Sequence, residues 1–160
     1  MLNKTIAALA VSASIASAAS AQATDMAVVE ALYTQVLSGA ASPDLPARMA
    51  AVLSPKWQSI GDYVSPVKTR DQFLLQLQRT GAAAPDISFK IEEILQVGGN
   101  RFVVRSRARA KPIGPFMGVT PTDRSFEVMA IDIHTVEGHQ IVTSYHVEDW
   151  LGALKQLEAK

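Results

Sequence analysis

Glu127-Val128-Met129-Ala130-Ile131-Asp132-Ile133-His134-Thr135-Val136, followed by Glu137-Gly138-His139-Gln140 and then Ile141-Val142-Thr143-Ser144-Tyr145-His146-Val147, decides the fold. Side chains alternate with period two on both sides of a Gly138 turn, which reads as a pair of long strands in a hairpin. One parity of the first strand carries Val128, Ala130, Asp132, His134 and Val136; the other carries Glu127, Met129, Ile131, Ile133 and Thr135. A strand apolar on both parities is expected to be covered on both faces, so an acid and an imidazole within it stand out, because desolvating a carboxylate is costly unless it is paired or faces a wet cavity. With the turn centred on His139, Asp132 falls opposite His146 and His134 opposite Ser144, all four on one side. A one-residue slip would send His146 to the other face.

An aspartate beside a histidine orients the imidazole and favours its protonated form, and such a pair can move a proton near neutral pH. Three readings fit these residue types: an acid–base pair of Asp132 and His146, a structural bridge inside the sheet, and a metal site from Asp132, His134 and His146. The sequence reading assigns the first, with no metal and no cofactor.

Working outward, Asp86 to Val97 also alternates, with Ile87, Phe89, Ile91, Leu95 and Val97 on one parity. Gly98-Gly99-Asn100 signals a hairpin, and the return strand sets Phe102, Val104, Ala108 and Ala110 against Arg105, Arg107, Arg109 and Lys111. A tight turn at Gly99-Asn100 would place Glu92 against Arg107 and Lys90 against Arg109. The basic row reads as a solvated outer face with partial ion pairing. Ser106, Ala108 and Ala110 are small enough to leave a hollow beside them. Before the sheet, Asp25 to Leu37 has helical spacing closed by Gly39, and Asp44 with Pro46 opens a short second helix that Pro55 ends. Trp57 to Ile60 reads as a short strand. Thr69 and Gln72 form a capping-box pattern ahead of a third helix that stops at Gly81 to Pro85. Trp150 to Leu157 closes the chain as a helix. The expected fold class is α+β, with helices packed on a curved antiparallel sheet.

Met1 to Ala21 reads as a secretory signal rather than a membrane span: Lys4 gives the positive start, Ile6 to Ala19 the apolar and small-residue run, and Ala19-Ser20-Ala21 the cleavage site, with a second cut after Ala23 as the alternative. The run is short and rich in Ala and Ser against about 30 Å of hydrocarbon. One domain from Gln22 to Lys160 is expected, in the periplasm or secreted. In the 160-residue chain, 15 basic residues balance 15 acidic ones, which argues against a nucleic-acid binder. No cysteine is present, so disulfides, thiolate catalysis and cysteine-bound metals are excluded.

Pro85-Asp86, the run Gly114-Pro115-Phe116-Met117-Gly118-Val119-Thr120-Pro121-Thr122-Asp123-Arg124, Ala130-Ile131-Asp132-Ile133 and Gln156-Leu157 together resemble the SnoaL-like polyketide cyclase (ester cyclase) group of the NTF2-like superfamily. The resemblance spans about Val28 to Leu157 and is sharpest from Pro85 onward. It implies a cone-like α+β barrel around a deep apolar cavity, usually in a dimer. It further implies cofactor-free aldol ring closure of a polyketide ester, with a histidine and an aspartate on the last two long strands as acid and base. Asp132 falls on the family's histidine position and His146 on its aspartate position, so the two residue types are exchanged here. The export signal is a second departure from polyketide tailoring.

The reading that results is an exported acid–base protein acting on a small apolar carbonyl compound, with His146 as general base and Asp132 holding it. His134, Trp57, Phe116, Met117 and Tyr33 are candidate ligand contacts. The alternative is a hydrophobic-ligand carrier on the same fold, which needs no chemistry from His146. No nucleic-acid or membrane partner is expected after signal removal. Met129, Ile131, Ile133, Ile141, Tyr145 and Val147 form an outward apolar stripe, the expected face of a homodimer.

Overall fold

Residues 24–158 are described in the computed structural model, so the expected signal, Met1 to Ala21, and both cleavage points lie outside the described residues. The first helix, α1, covers 24–37, and its second half, Leu32–Leu37, is wound as a π-helix. Next come α2 (Leu45–Val52), β1 (Leu53–Ile60), β2 (Lys68–Thr69), α3 (Arg70–Ala83), β3 (Ser88–Val97), β4 (Arg101–Ala110), β5 (Phe126–Glu137), β6 (Gln140–Glu148) and α4 (Trp150–Glu158). The six strands form one sheet in the order β2-β1-β6-β5-β4-β3. Helices pack on it around a core that includes Tyr33, Met49, Phe102, Phe126 and Ile141. No helix among the described residues is long and apolar enough to cross a membrane.

Helix boundaries follow local chemistry. Thr69 and Gln72 close the expected capping box on α3, with Thr69 Oγ1 accepting from the Gln72 amide and Gln72 Oε1 from the Thr69 amide. Pro46 sits in the first turn of α2, where its missing N–H costs nothing. Asp44 occupies the N-cap of α2, but its side chain makes no capping bond.

The sheet departs from the expected antiparallel plan in one place. β1 runs parallel to β6, with Ser59 beside Ser144 and Ile60 beside Tyr145, and the register shifts between Leu53 and Gln58, the stretch that holds Pro55. A proline has no N–H to give a ladder, so the pairing breaks around it. The expected short strand at Trp57 to Ile60 thus extends back to Leu53, and β2 adds a two-residue edge.

Two bulges decide which side chains face inward. In β3 a register shift between Ile91 and Glu93 reverses the parity, so Leu95 and Val97 are exposed rather than sharing the buried side with Phe89. It also corrects the β3–β4 pairing: Lys90 lies opposite Arg107, and Ser88 opposite Arg109. Glu92 nonetheless reaches Arg107 Nε at 3.1 Å, and Glu127 takes the same guanidinium at 2.7 Å. In the β5–β6 hairpin the turn is the two-residue Gly138-His139, both at positive φ (55° and 60°), a conformation that suits the twist of paired strands. A second shift between Thr135 and Val136 then restores the expected register, Asp132 opposite His146 and His134 opposite Ser144. It also turns Ile141 into the core, which removes it from the outward stripe. β5 is covered on one face only in the single chain: Met129 and Ile131 are exposed on the other, beside Tyr145 and Val147.

Candidate active site

The helices and the concave face of the sheet enclose a cavity of about 450 Å³. Its wall is mainly apolar, with Leu32, Leu77, Phe89 and Trp150 among its members. Trp57, Phe116, Met117, Asp132, His134 and His146, all expected from sequence, lie on it. Tyr33 does not, and this corrects its assignment as a ligand contact. It is wholly buried behind Asp132 and His134. Nor do Ser106, Ala108 and Ala110 border the cavity; core side chains cover them, so the hollow lies elsewhere than beside β4. Phe116 stacks on Phe126 at 5.4 Å, and half-exposed Met117 follows it in a loop turn at positive φ.

Asp132 and His146 face the cavity from opposite positions on β5 and β6, but they do not hydrogen-bond to each other. Each has a separate partner. Tyr33 Oη donates to Asp132 Oδ2 at 2.7 Å, while His146 Nδ1 meets Glu148 Oε2 at 2.8 Å. The expectation that Asp132 holds His146 is therefore replaced: Glu148, two residues along the same face of β6, holds it. Gly61 passes close on the other side, where a Cβ would come within 3.1 Å of His146 Nε2.

Behind Asp132 runs a chain of hydrogen bonds whose direction follows from its ends while Asp132 is ionised. Trp57 Nε1–H, a donor only, gives to Ser144 Oγ at 3.0 Å, and Ser144 Oγ meets His134 Nδ1 at 2.8 Å. At the other end, Tyr33 gives its single proton to Asp132, so toward His134 Nε2, 2.8 Å away, it accepts. His134 thus carries its proton on Nε2 and offers the Nδ1 lone pair to the Ser144 hydroxyl. The order is Trp57, Ser144, His134, Tyr33, Asp132, each donating to the next. Both His134 nitrogens are used, so it has no lone pair for a metal in the cavity, and the described residues hold no cluster of metal-ligating side chains.

Electrostatics follow from this wiring. Burial pushes Asp132 up to about 7, although the Tyr33 hydrogen bond and the nearby His146 pull the other way. Burial likewise drives His134 down to about 3, so it stays neutral, and raises the Tyr33 phenol far above its usual range, helped by the Asp132 charge. His146 moves upward, chiefly through its bond to Glu148 and further through the charges of Glu148 and Asp132. Near neutral pH the cavity therefore presents a carboxyl group poised between its two forms beside an imidazole whose charged form Glu148 favours. Sequence reasoning missed Glu148, although its spacing of two from His146 on a strand was visible, and missed that Tyr33, 99 residues away, is the partner of Asp132.

The family model of the SnoaL-like polyketide cyclases matches residues 27–157. Among solved structures, IdmH from Streptomyces antibioticus is 28% identical, with 83% of this chain and 97% of that one covered at a TM-score of 0.70. A SnoaL-like protein from Jannaschia sp. CCS1 is 19% identical, covering 86% and 94% at 0.73. A protein with a ketosteroid isomerase-like fold from Catenulispora acidiphila is 15% identical, covering 81% and 91% at 0.63. Among curated protein sequences nothing matches. Because the family model runs from the first helix through the last, over the same strands that carry Asp132 and His146, the chain belongs to the SnoaL-like polyketide cyclase family.

Proposed function

We propose that this protein is a cofactor-free acid–base enzyme of cyclase or isomerase type, acting on a small apolar compound that bears a carbonyl. The observation that carries the reading is Asp132, a carboxyl group buried on the wall of an apolar cavity, which burial pushes up to about 7. A base whose pKa lies near the working pH combines a useful ionised fraction with real proton affinity. The roles are exchanged relative to the sequence expectation. Asp132 keeps Oδ2 on Tyr33 and uses Oδ1 to take an α-proton; the C–H electron pair moves into the enolate. His146, whose charged form Glu148 favours, donates a hydrogen bond from Nε2 to the developing oxyanion. In a cyclisation the enolate carbon then attacks a second carbonyl of the same molecule, whose C=O electron pair moves to oxygen, and the new alkoxide takes back the proton held on Asp132, restoring the carboxylate; in an isomerisation Asp132 returns the proton to another carbon. Either sequence closes without a cofactor.

Export and self-association belong to the same proposal. Lys4, the run to Ala19 and Ala19-Ser20-Ala21 support a periplasmic or secreted location. The exposed outer face of β5 and β6 supports a homodimer.

The test uses an apolar bicyclic ketone such as 2-tetralone in D₂O, with loss of the α-C–H signals followed by proton NMR. The wild-type protein is expected to speed exchange by about 10²–10⁴ over Asp132→Asn, the usual weight of a positioned general base. Equal rates would leave a carrier of apolar ligands as the better account.

A further inference from the structure

Charge around the cavity is unevenly paired. Its two acids are both engaged, Asp132 by Tyr33 and Glu148 by His146. Its two permanent cations, Lys68 and Arg79, make no ion pair or hydrogen bond among the described residues. Arg79 is exposed on α3, but Lys68 is half-buried, with its ammonium 5.9 Å from the centre of the Phe73 ring. An ammonium taken partly out of water is costly; the charge of Glu148, already in an ion pair with His146, and a ring face offset only part of that cost.

The backbone at Lys68 is fixed on both sides. Lys68 pairs with Ser59, itself on the cavity wall, and the next residue, Thr69, is the cap of α3. The backbone that carries the cation is therefore fixed by a strand ladder and a helix start, while its ammonium sits in no ion pair among the described residues.

We propose that Lys68 anchors an acidic oxygen group, a carboxylate or sulfonate, at one end of an otherwise apolar ligand whose body lies against Trp57 and Phe73. This deepens the reading of the cavity as a ligand site and rests on it, but not on catalysis by Asp132. The group enters where the cavity has a cation in no ion pair, and its apolar body takes the wall that dominates the rest of the surface.

Two fluorescent probes with the same aromatic body separate the charge from the burial: anilinonaphthalene sulfonate and its uncharged parent, N-phenylnaphthylamine. Titrated into the wild-type protein, the sulfonate is expected to bind about tenfold more tightly, the weight of one charge-assisted hydrogen bond. Lys68→Met should bring the two probes to about the same affinity, while Arg79→Gln keeps the preference. Equal affinities in the wild type, a preference that survives Lys68→Met, or one lost in Arg79→Gln would each overturn the assignment. Thr80→Trp, which fills the cavity from α3, reports the site. If it displaces both probes but no preference exists, the cavity still binds ligands and only the Lys68 anchor falls. If both probes still bind, they lie elsewhere, and the ligand-site reading falls with the anchor.

Discussion

Replacing Asp132 by asparagine keeps the shape of the side chain and an oxygen to accept from Tyr33, but removes a buried negative charge. Folding raises this carboxyl from 3.8 to about 7. Between those values the folded protein holds a proton that the unfolded chain has released, so stability falls as pH rises through the window. At 1.36 kcal/mol per pH unit the loss amounts to about 4 kcal/mol once the pH is above 7. His134 works in the opposite sense. Its fall from 6.5 to about 3 means that the unfolded chain holds a proton the folded one has lost, so its contribution is present above 6.5 and fades as pH drops toward 3. In the wild type the two effects cancel through most of pH 4 to 6.5; in Asp132→Asn only the histidine slope remains. Urea unfolding at pH 4, 5.5, 7 and 8.5 reads the difference. The variants should match at pH 4 and separate steadily until Asp132→Asn is more stable by about 4 kcal/mol at pH 8.5, a midpoint shift of about 2 M urea for a protein of this size. A difference that does not change with pH, or a variant weaker than wild type at pH 8.5, would refute the account of a desolvated carboxylate.

Tyr33→Phe removes the donor to Asp132 and strands the His134 Nε2–H in the core; it should cost about 1–3 kcal/mol by urea unfolding and move the titration of Asp132, followed by carboxyl NMR, further upward. Glu148→Gln deletes the chief cause of the raised His146 pKa, so the imidazole titration seen by NMR should move down toward 6.5 or below. Nitrogen NMR of the wild type should show His134 neutral at pH 5 and above, with its proton on Nε2 once Asp132 is ionised above pH 7. Ile131→Lys on the outer face of β5 should turn a dimer in sedimentation velocity into a monomer, whereas a wild-type monomer at micromolar concentration removes the interface.

Local chemistry and alternation made much of this architecture legible. The capping box at Thr69 and Gln72 involves groups three residues apart and forms as read. The β5–β6 register came out as expected for a reason that spacing alone does not show: a two-residue turn and a bulge near Val142 offset one another. The same kind of irregularity in β3 had no compensating turn, and Leu95 and Val97 moved to the outside. A bulge is a one-residue event that leaves no periodic signature, which is why one hairpin could be read and the other could not. The pairing of β1 with β6 and the bond from Tyr33 to Asp132 bring together residues far apart in sequence, and no window along the chain contains both partners.

That long-range bond also explains why Asp132 and His146, though face to face, have separate partners, and, in the proposed mechanism, separate work. If Asp132 bonded directly to His146, each would stabilise the charge on the other, and the aspartate would lose the proton affinity a base requires. Here Tyr33 supplies a neutral donor to the carboxylate, and Glu148 supplies the negative partner to the imidazole. The acid of the pair has its pKa raised by burial, and the charged form of the imidazole is favoured by Glu148 on its own strand. In the proposed mechanism, what matters is which group has the carboxylate partner and which has the dry wall. Moving Glu148's charge away, as in Glu148→Gln, should therefore weaken oxyanion stabilisation while leaving Asp132 on Tyr33. In the deuterium-exchange assay the rate should fall without the steep loss seen for Asp132→Asn, and a loss as large as that of Asp132→Asn would mean the two groups act as one unit after all.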